Sequence, residues 1–517
     1  MLLRRTGCAV LAALAMACGG DAVRGEATGA AADATDAHTG DASTADAADD
    51  ASPGDDASDA DTHDAHVSTS RCAVPTPRLS TDPLATALAA GPDRCGRPGT
   101  AWLDAPDLGT VTRVEPALDW PRDTLAAAAS VQGLVRHRPF DHDVTMHAIA
   151  YTTQAHGARA EATALVAAPS DTAPDGAPWP VALVLHGTTG FNDDCAPSND
   201  IDWQIFTAFV AAWGYVAVAP DYIGLHAFGD DDDTLHPYLV GEPTAMASLD
   251  AVRAALRVVD DGVFGDACAA PNVVVWGASQ GGHAALWVDR LAPWYAPELA
   301  IDGVAAVIAP SDLLGQGAAA LDEVVPGTAN AIAILVTLAD WFDLGAELEA
   351  TLAPGVAAAW QADLGGPCTS GRPVELDDGT TLADLFAPDA LATLAGGGLA
   401  DLDPFGCLVA ESGLPTTAVP RRGDDPAHYG ILFAQAGRDQ IVDVETEQRA
   451  FGQLCAGGLP IEYLECEGAR HGAGALHSLP EAMRFLDARA AHTPWTPPES
   501  CEPTPAVVCE GGAGRRP

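Results

Sequence analysis

Val273-Val-Val-Trp-Gly-Ala-Ser279-Gln-Gly-Gly-His-Ala-Ala-Leu286 decides the fold. Four apolar residues read as a buried strand, and the Ala-rich stretch that follows reads as a helix. Gly277-x-Ser279-x-Gly281 is the turn between them. Glycines on either side leave room for a tight turn that lifts the serine out between strand and helix. The start of the helix then offers its free amides and positive dipole end to a developing negative charge. The alternative, a surface loop with a spectator serine, accounts for neither flanking element.

Around this turn the chain alternates strands and helices. Val181–Leu185, Tyr215–Ala219, Val304–Ile308, Ile431–Gln435 and Ile461–Leu464 are further short apolar runs with strand character. Asp202–Trp213 and Ala245–Val259 carry their large apolar residues at helical spacing, and Leu479–Ala490 follows as a helix. Such alternation implies a mostly parallel sheet with helices on both faces, whose site lies at the carboxyl ends of the strands. With the serine turn, the expected class is an α/β-hydrolase.

A serine hydroxyl needs a base to take its proton, and in this fold the acid and the histidine follow the serine in chain order. Asp439 stands just beyond the strand Ile431–Gln435, in Gly437-Arg-Asp439-Gln-Ile-Val442. It is preferred over Asp443, which lies four residues further on. His471 follows the strand Ile461–Leu464 after a short loop. His477 is its rival, and His428 precedes the acid and is out of order. An oxyanion needs two preorganised donors. One is the N–H of Gln280, directly after the serine. The second is expected from the loop His186-Gly-Thr-Thr-Gly190, with Thr188 preferred and Gly187, Thr189 and Gly190 left open.

Composition narrows the partners. The 517 residues carry 72 acidic and 25 basic side chains, a formal charge of −47. That field repels nucleic acid and anionic membranes. All the basic residues are arginine. Without lysine there is no P-loop nucleotide chemistry, no Schiff base and no Ser-Lys dyad. The run Asp230–Asp233 lacks the alternating spacing of a calcium loop. No metal or organic cofactor is expected.

The amino-terminal segment reads as an export signal over residues 1–18. Arg4 and Arg5 precede a short apolar run that ends at Leu14-Ala-Met-Ala-Cys18. The run is too short to span a bilayer. Cys18 sits where a bacterial lipoprotein would be processed and lipidated, so a lipid anchor there is the expected membrane link. Residues 19–71 are mostly Ala, Asp, Thr, Ser and Gly with no Phe, Trp or Tyr, the composition of an acidic spacer. Ten further cysteines, an even number, suggest disulfides in an exported chain. Loop length permits the local pairs Cys72–Cys95, Cys455–Cys466 and Cys501–Cys509, while sequence leaves connectivity open.

The chain resembles the secretory lipase family of α/β-hydrolases, which includes the fungal lipase A enzymes. The resemblance runs from about Ala148 to Arg489. It rests on Asp194-Cys-Ala-Pro-Ser198, Gly214-Tyr-Val-Ala-Val-Ala-Pro-Asp-Tyr-Ile-Gly224, His236-Pro-Tyr-Leu239, Leu249-Asp-Ala-Val-Arg-Ala254, Trp276–Gly282, Tyr295-Ala-Pro-Glu-Leu299 and Ile301-Asp-Gly-Val-Ala305. It implies that the catalytic serine, aspartate and histidine are Ser279, Asp439 and His471, and that the substrates are triacylglycerols or simpler carboxylic esters. The His186-Gly187 loop is closer to that of general esterases.

About 120 residues separate the strands at Val304 and Ile431, far more than a compact connection needs. Ile332–Phe342, Leu344–Leu352 and Leu382–Leu394 look helical there. A helical cap over residues 311–425 is expected within a 72–517 hydrolase domain, with a Pro-rich tail at 493–517. The function expected is that of an exported serine ester hydrolase, most simply a lipase. A short-chain, aryl or polyester esterase, an acyltransferase or a peptidase would use the same triad, and a surface binding module would leave it idle. Oligomeric state is not legible.

Overall fold

The computed structural model describes residues 72, 74–79, 95, 102–104, 106–173, 176–229, 234–368, 376–421, 423 and 425–513. Cys18, the spacer and the Asp230–Asp233 run lie outside them.

In chain order the elements begin with β1 (Val111–Pro116), α1 (Arg122–Val131), β2 (Val144–Ala155), β3 (Ala158–Pro169) and β4 (Trp179–Leu185). Next come α2 (Ile201–Ala212), β5 (Val216–Pro220), α3 (Gly241–Asp260), β6 (Ala269–Ala278), α4 (Gln280–Tyr295) and β7 (Ala300–Val307). Seven helices follow: α5 (Leu313–Ala320), α6 (Thr328–Trp341), α7 (Gly345–Thr351), α8 (Val356–Leu364), α9 (Leu382–Leu385), α10 (Pro388–Gly397) and α11 (Phe405–Ser412). The chain closes with β8 (Gly430–Ala436), α12 (Val444–Ala456), β9 (Ile461–Cys466), α13 (His471–His477) and α14 (Leu479–Ala490).

One nine-stranded sheet results, in the order β1-β2-β3-β5-β4-β6-β7-β8-β9. The six strands from β5 to β9 are mutually parallel, and each contains or overlaps one of the apolar runs read from the sequence. The antiparallel ribbon β1-β2-β3 precedes them. Its hairpin turns on His156 (φ 50°) and Gly157 (φ 72°), the paired left-handed residues of a two-residue turn whose twist matches the strands.

Alternation along the strands splits the core between the two faces. Val181, Leu183 and Leu185 of β4 join residues of α3, α4 and α12 on one face. Ala182 and Val184 join α1, α2 and α14 on the other. The seven helices between β7 and β8 build a third cluster around Ile332, Leu335, Val336 and Phe405, each almost fully buried. Burying such a side chain contributes about 1.5–3 kcal/mol, so this insertion has a core of its own.

Two expectations are corrected. Leu382–Leu394 is not one helix but two, because Pro388 starts α10 and forces Ala387 into an extended conformation (φ −63°, ψ 152°). The cysteines pair Cys72–Cys268, Cys95–Cys407, Cys195–Cys368, Cys455–Cys501 and Cys466–Cys509. None of the three local pairs forms. The sheet brings distant segments together: Val507 returns beside β9 through hydrogen bonds with Glu465 and Glu467, which sets Cys509 against Cys466. No helix among the described residues is long and apolar enough to cross a membrane.

Candidate active site

Ser279 stands between β6 and α4 with φ 57° and ψ −120°, a conformation L-residues rarely adopt. The two glycines read from the sequence make that turn sterically feasible. A Cβ on Gly277 would lie 2.0 Å from the carbonyl oxygen of Gly281, and a Cβ on Gly281 would lie 2.0 Å from that of Leu185. The helix start therefore packs directly on the end of β4, which is where the oxyanion loop begins.

The three residues read as a triad meet. His471 Nε2 lies 2.9 Å from Ser279 Oγ, and His471 Nδ1 lies 2.6 Å from Asp439 Oδ2. The imidazole and the carboxylate are each only 1% exposed. The other carboxylate oxygen of Asp439 accepts the N–H groups of Ile441 and Val442, both at 2.9 Å. Those bonds fix the carboxylate. The carboxylate in turn accepts a hydrogen bond from Nδ1–H, which keeps the proton on that nitrogen, so Nε2 presents its lone pair to the serine. The segments carrying the three side chains follow β6, β8 and β9 at their carboxyl ends.

The rivals are engaged elsewhere. Asp443 caps α12, accepting the Thr446 N–H at 2.8 Å and its hydroxyl at 2.7 Å. His477 ends α13, close against Gly512. His428 pairs with Asp302 at 2.9 Å.

The loop read from the sequence as the source of the second oxyanion donor, His186–Gly190, lies beside the serine turn and is mostly buried. Gln280 is the first residue of α4, so its N–H has no carbonyl partner within the helix. Thr188 is buried, and its hydroxyl shares a 2.9 Å hydrogen bond with the Tyr238 hydroxyl, which also accepts from Asn330 Nδ2 at 3.0 Å. His186 stacks on Tyr222 at 4.0 Å, and burial pushes its pKa down to about 3, so it stays neutral.

Sequence reading gave no role to several neighbours. The Gln280 side-chain amide donates to His236 Nε2, while His236 Nδ1 donates to the Ile223 carbonyl at 2.8 Å. Burial lowers the His236 pKa to about 4, which keeps that nitrogen an acceptor. Glu447 is fully buried. It accepts from the Ser311 hydroxyl, from Ser311 N–H at 3.0 Å and from Gln316 Nε2 at 2.8 Å. Gln316 Oε1 accepts the Asp443 N–H at 2.8 Å. This network ties the start of the insertion to the segment that carries the acid. Burial raises Glu447 to about pH 7. His236-Pro-Tyr-Leu239 carried a signal, being part of the family resemblance. Glu447 carried none, because its partners lie more than 130 residues away.

Ser279 lies on the wall of a small pocket that is partly open to solvent. Tyr238, Leu313, Gln316, Ala331, Ile334 and Ile441 line it, so the insertion supplies much of its wall. Most of the lining is apolar, with Gln316, Asn330 and Tyr238 as polar points. That is the usual make-up of a site for a small, largely apolar molecule.

Comparison with known proteins agrees with the resemblance. Residues 199–342 match the model of the family described as secretory lipase. The chain is 27% identical over 286 residues to Lipase 2 of Candida albicans, covering 53% of this chain and 55% of that protein. It is 37% identical over 109 residues to Lipase 6 of the same organism, covering 20% of each. The chain thus spans about half the length of the first of these relatives and less of the second. Among solved structures it resembles the rice cell wall degrading esterase LipA from Xanthomonas oryzae, with TM-score 0.58 and 19% identity over 74% of this chain and 98% of that one. It also resembles Candida antarctica lipase A in its closed state, with TM-score 0.54 and 19% identity over 78% and 86%. These likenesses show the α/β-hydrolase fold.

Proposed function

We propose that this protein is an exported serine carboxylic-ester hydrolase, acting as a lipase on triacylglycerols or related acyl esters. The observation that carries the reading is the hydrogen-bonded series Ser279–His471–Asp439 at the mouth of an apolar cavity. The secretory-lipase match over residues 199–342 supports it.

In this reading Ser279 Oγ attacks the ester carbonyl carbon while His471 Nε2 takes the hydroxyl proton. Asp439 holds the imidazole and stabilises the imidazolium that forms. The carbonyl oxygen becomes an oxyanion, bound by the N–H of Gln280 and by a donor at Thr188. The imidazolium returns its proton to the leaving alcohol as the C–O bond breaks. A water molecule then repeats the sequence on the acyl-enzyme, giving the carboxylic acid and free serine. The apolar wall from the insertion receives the acyl chain, in the manner of a cap.

The five disulfides support export, since such bonds persist in oxidising compartments. Lipidation of Cys18 would anchor the exported protein to a membrane through its spacer. The second reading is a short-chain esterase, favoured by the His186-Gly187 loop, which is closer to that of general esterases.

The deciding measurement is hydrolysis of p-nitrophenyl esters from short to long acyl chains, by wild type and Ser279→Ala. Activity on long chains that vanishes in the variant is expected. Activity confined to short chains selects the esterase, and equal activity in the variant rejects the serine mechanism.

A further inference from the structure

A second group of chemistry-bearing side chains sits at the other end of the sheet. Asp302 lies near the start of β7, beside Asn272 on β6, whose pairing partner is Ala300. His428 precedes β8 by two residues, and His492 follows α14. The Ser279 turn, by contrast, follows the carboxyl end of β6. Asp302 is buried, its carboxylate 3% exposed. His428 Nε2 lies 2.9 Å from Asp302 Oδ1, and His492 Nε2 lies 3.1 Å from Oδ2. The two imidazoles stack with centroids 4.2 Å apart. The candidate ligand atoms of all three residues lie within 4.8 Å of one another.

We infer that Asp302, His428 and His492 form a binding site for a divalent transition ion, with zinc the best fit. Two imidazole nitrogens and one carboxylate oxygen suit zinc; calcium and magnesium select all-oxygen sets. In a tetrahedral zinc site with bonds of about 2.0–2.2 Å, neighbouring ligand atoms stand roughly 3.3–3.5 Å apart. The 2.9 Å contact of His428 Nε2 with Oδ1 opens by about half an ångström to reach that spacing, and His492 Nε2, 3.1 Å from Oδ2, lies within 4.8 Å of the other candidate ligand atoms. Three ligands leave a fourth position for water. Asn272 Nδ2 donates to Asp302 Oδ2 at 3.1 Å and stands 3.2 Å from His492 Nε2, on the side of the carboxylate that faces His492.

The surroundings admit a cation. The His492 side chain is 52% exposed, which gives an ion a way in. Arg489, packed on Gly303 next door, directs its guanidinium toward the rings of Phe485 and Trp495. The chain's charge of −47 concentrates cations near its surface. His492 itself has φ 53°, a left-handed conformation that non-glycine residues seldom take. A bound ion would fasten the segment after α14 to the amino ends of β7 and β8. No local motif announces the site, because its ligands come from positions 302, 428 and 492.

The test uses the full chain, freed of metal with a chelator, dialysed and titrated with zinc by calorimetry. Cobalt(II) is the spectroscopic probe. One zinc per chain with a Kd at or below the micromolar range is expected, with the visible absorption of a four-coordinate cobalt site. His492→Ala, at a half-exposed position that spares the fold, should weaken binding at least 10-fold, the loss expected when one of three ligands is removed. His142→Ala, which removes a largely buried histidine paired with Asp171 far from this cluster in sequence, should leave it unchanged. Equal binding by wild type and His492→Ala, or no binding at 100-fold excess zinc, overturns the site and leaves an ion-pair cluster. Ester hydrolysis is unchanged in His492→Ala on either outcome, so the result is independent of the triad.

Discussion

Two of the molecule's Asp–His groupings lie at opposite ends of the sheet. At the carboxyl end, Asp439 faces a single imidazole and spends its second oxygen on two backbone N–H groups. At the amino end, Asp302 faces two imidazoles, one on each oxygen. The difference lies in what the second oxygen meets. Bonded to its own loop, a carboxylate becomes a rigid fixture that sets one tautomer of one histidine and so makes a base. Shared between two imidazoles, it presents three converging ligand atoms and no nucleophile. The histidine at the first site is almost wholly enclosed, whereas His492 is half exposed. The same two residue types thus suit the proposed proton transfer at one end and the proposed ion binding at the other, according to their neighbours.

The largest effect should come from breaking the first grouping at its nucleophile. Ser279→Ala is expected to lower turnover by about 10⁴–10⁶-fold with the far-ultraviolet circular dichroism unchanged. Asp439→Asn removes the carboxylate that sets the His471 tautomer, and turnover should fall by roughly 10⁴-fold. A fall of less than tenfold in steady-state assays would show that the tautomer is set by something else.

Gly281→Ala tests the turn on which both proposed oxyanion donors depend. Its Cβ would meet the Leu185 carbonyl at 2.0 Å, so backbone must shift. The expected cost is about 1–3 kcal/mol in thermal unfolding, with a loss of turnover as the Gln280 N–H moves. An intact melting temperature together with full activity would mean the turn is more tolerant than its packing implies.

Glu447 gives a smaller, pH-dependent effect. Burial raises its native pKa to about 7 from the usual 4.5. Between those values the unfolded chain has released the proton and the native chain has kept it, so this group lowers stability as pH rises from about 4.5 to 7. The size is on the order of 3 kcal/mol from a shift of this kind. Glu447→Gln cannot ionise, so its denaturant midpoint should gain on that of wild type across the interval. Parallel curves would exclude the titration. The smallest effect on hydrolysis belongs to the other end of the sheet, where His492→Ala is expected to leave kcat/KM for p-nitrophenyl esters unchanged.

The six parallel strands and the serine turn were legible because their signals are local. A strand buried on both faces is a continuous apolar run, and Gly277-x-Ser279-x-Gly281 sits between one such run and a helix. Asp439 and His471 could then be placed by chain order and by their position after β8 and β9. The ribbon β1-β2-β3 was not singled out. β3 contains six alanines in twelve residues, a composition that favours helix, and pairing with β2 and β5 overrides it. The serine turn that stood out and the alanine strand that did not differ in whether the signal is carried by neighbours in sequence or in space.

The sequence by itself determined the fold class, the serine turn between a strand and a helix, and the acidic, lysine-free composition, because each is written within a few residues or in a sum. The tertiary structure alone decided which cysteines meet, that Glu447 links the insertion to the acid's segment, and that Asp302, His428 and His492 converge. Those depend on how strands 40 to more than 300 residues apart are laid side by side. No stretch of chain short enough to read as a motif contains that information.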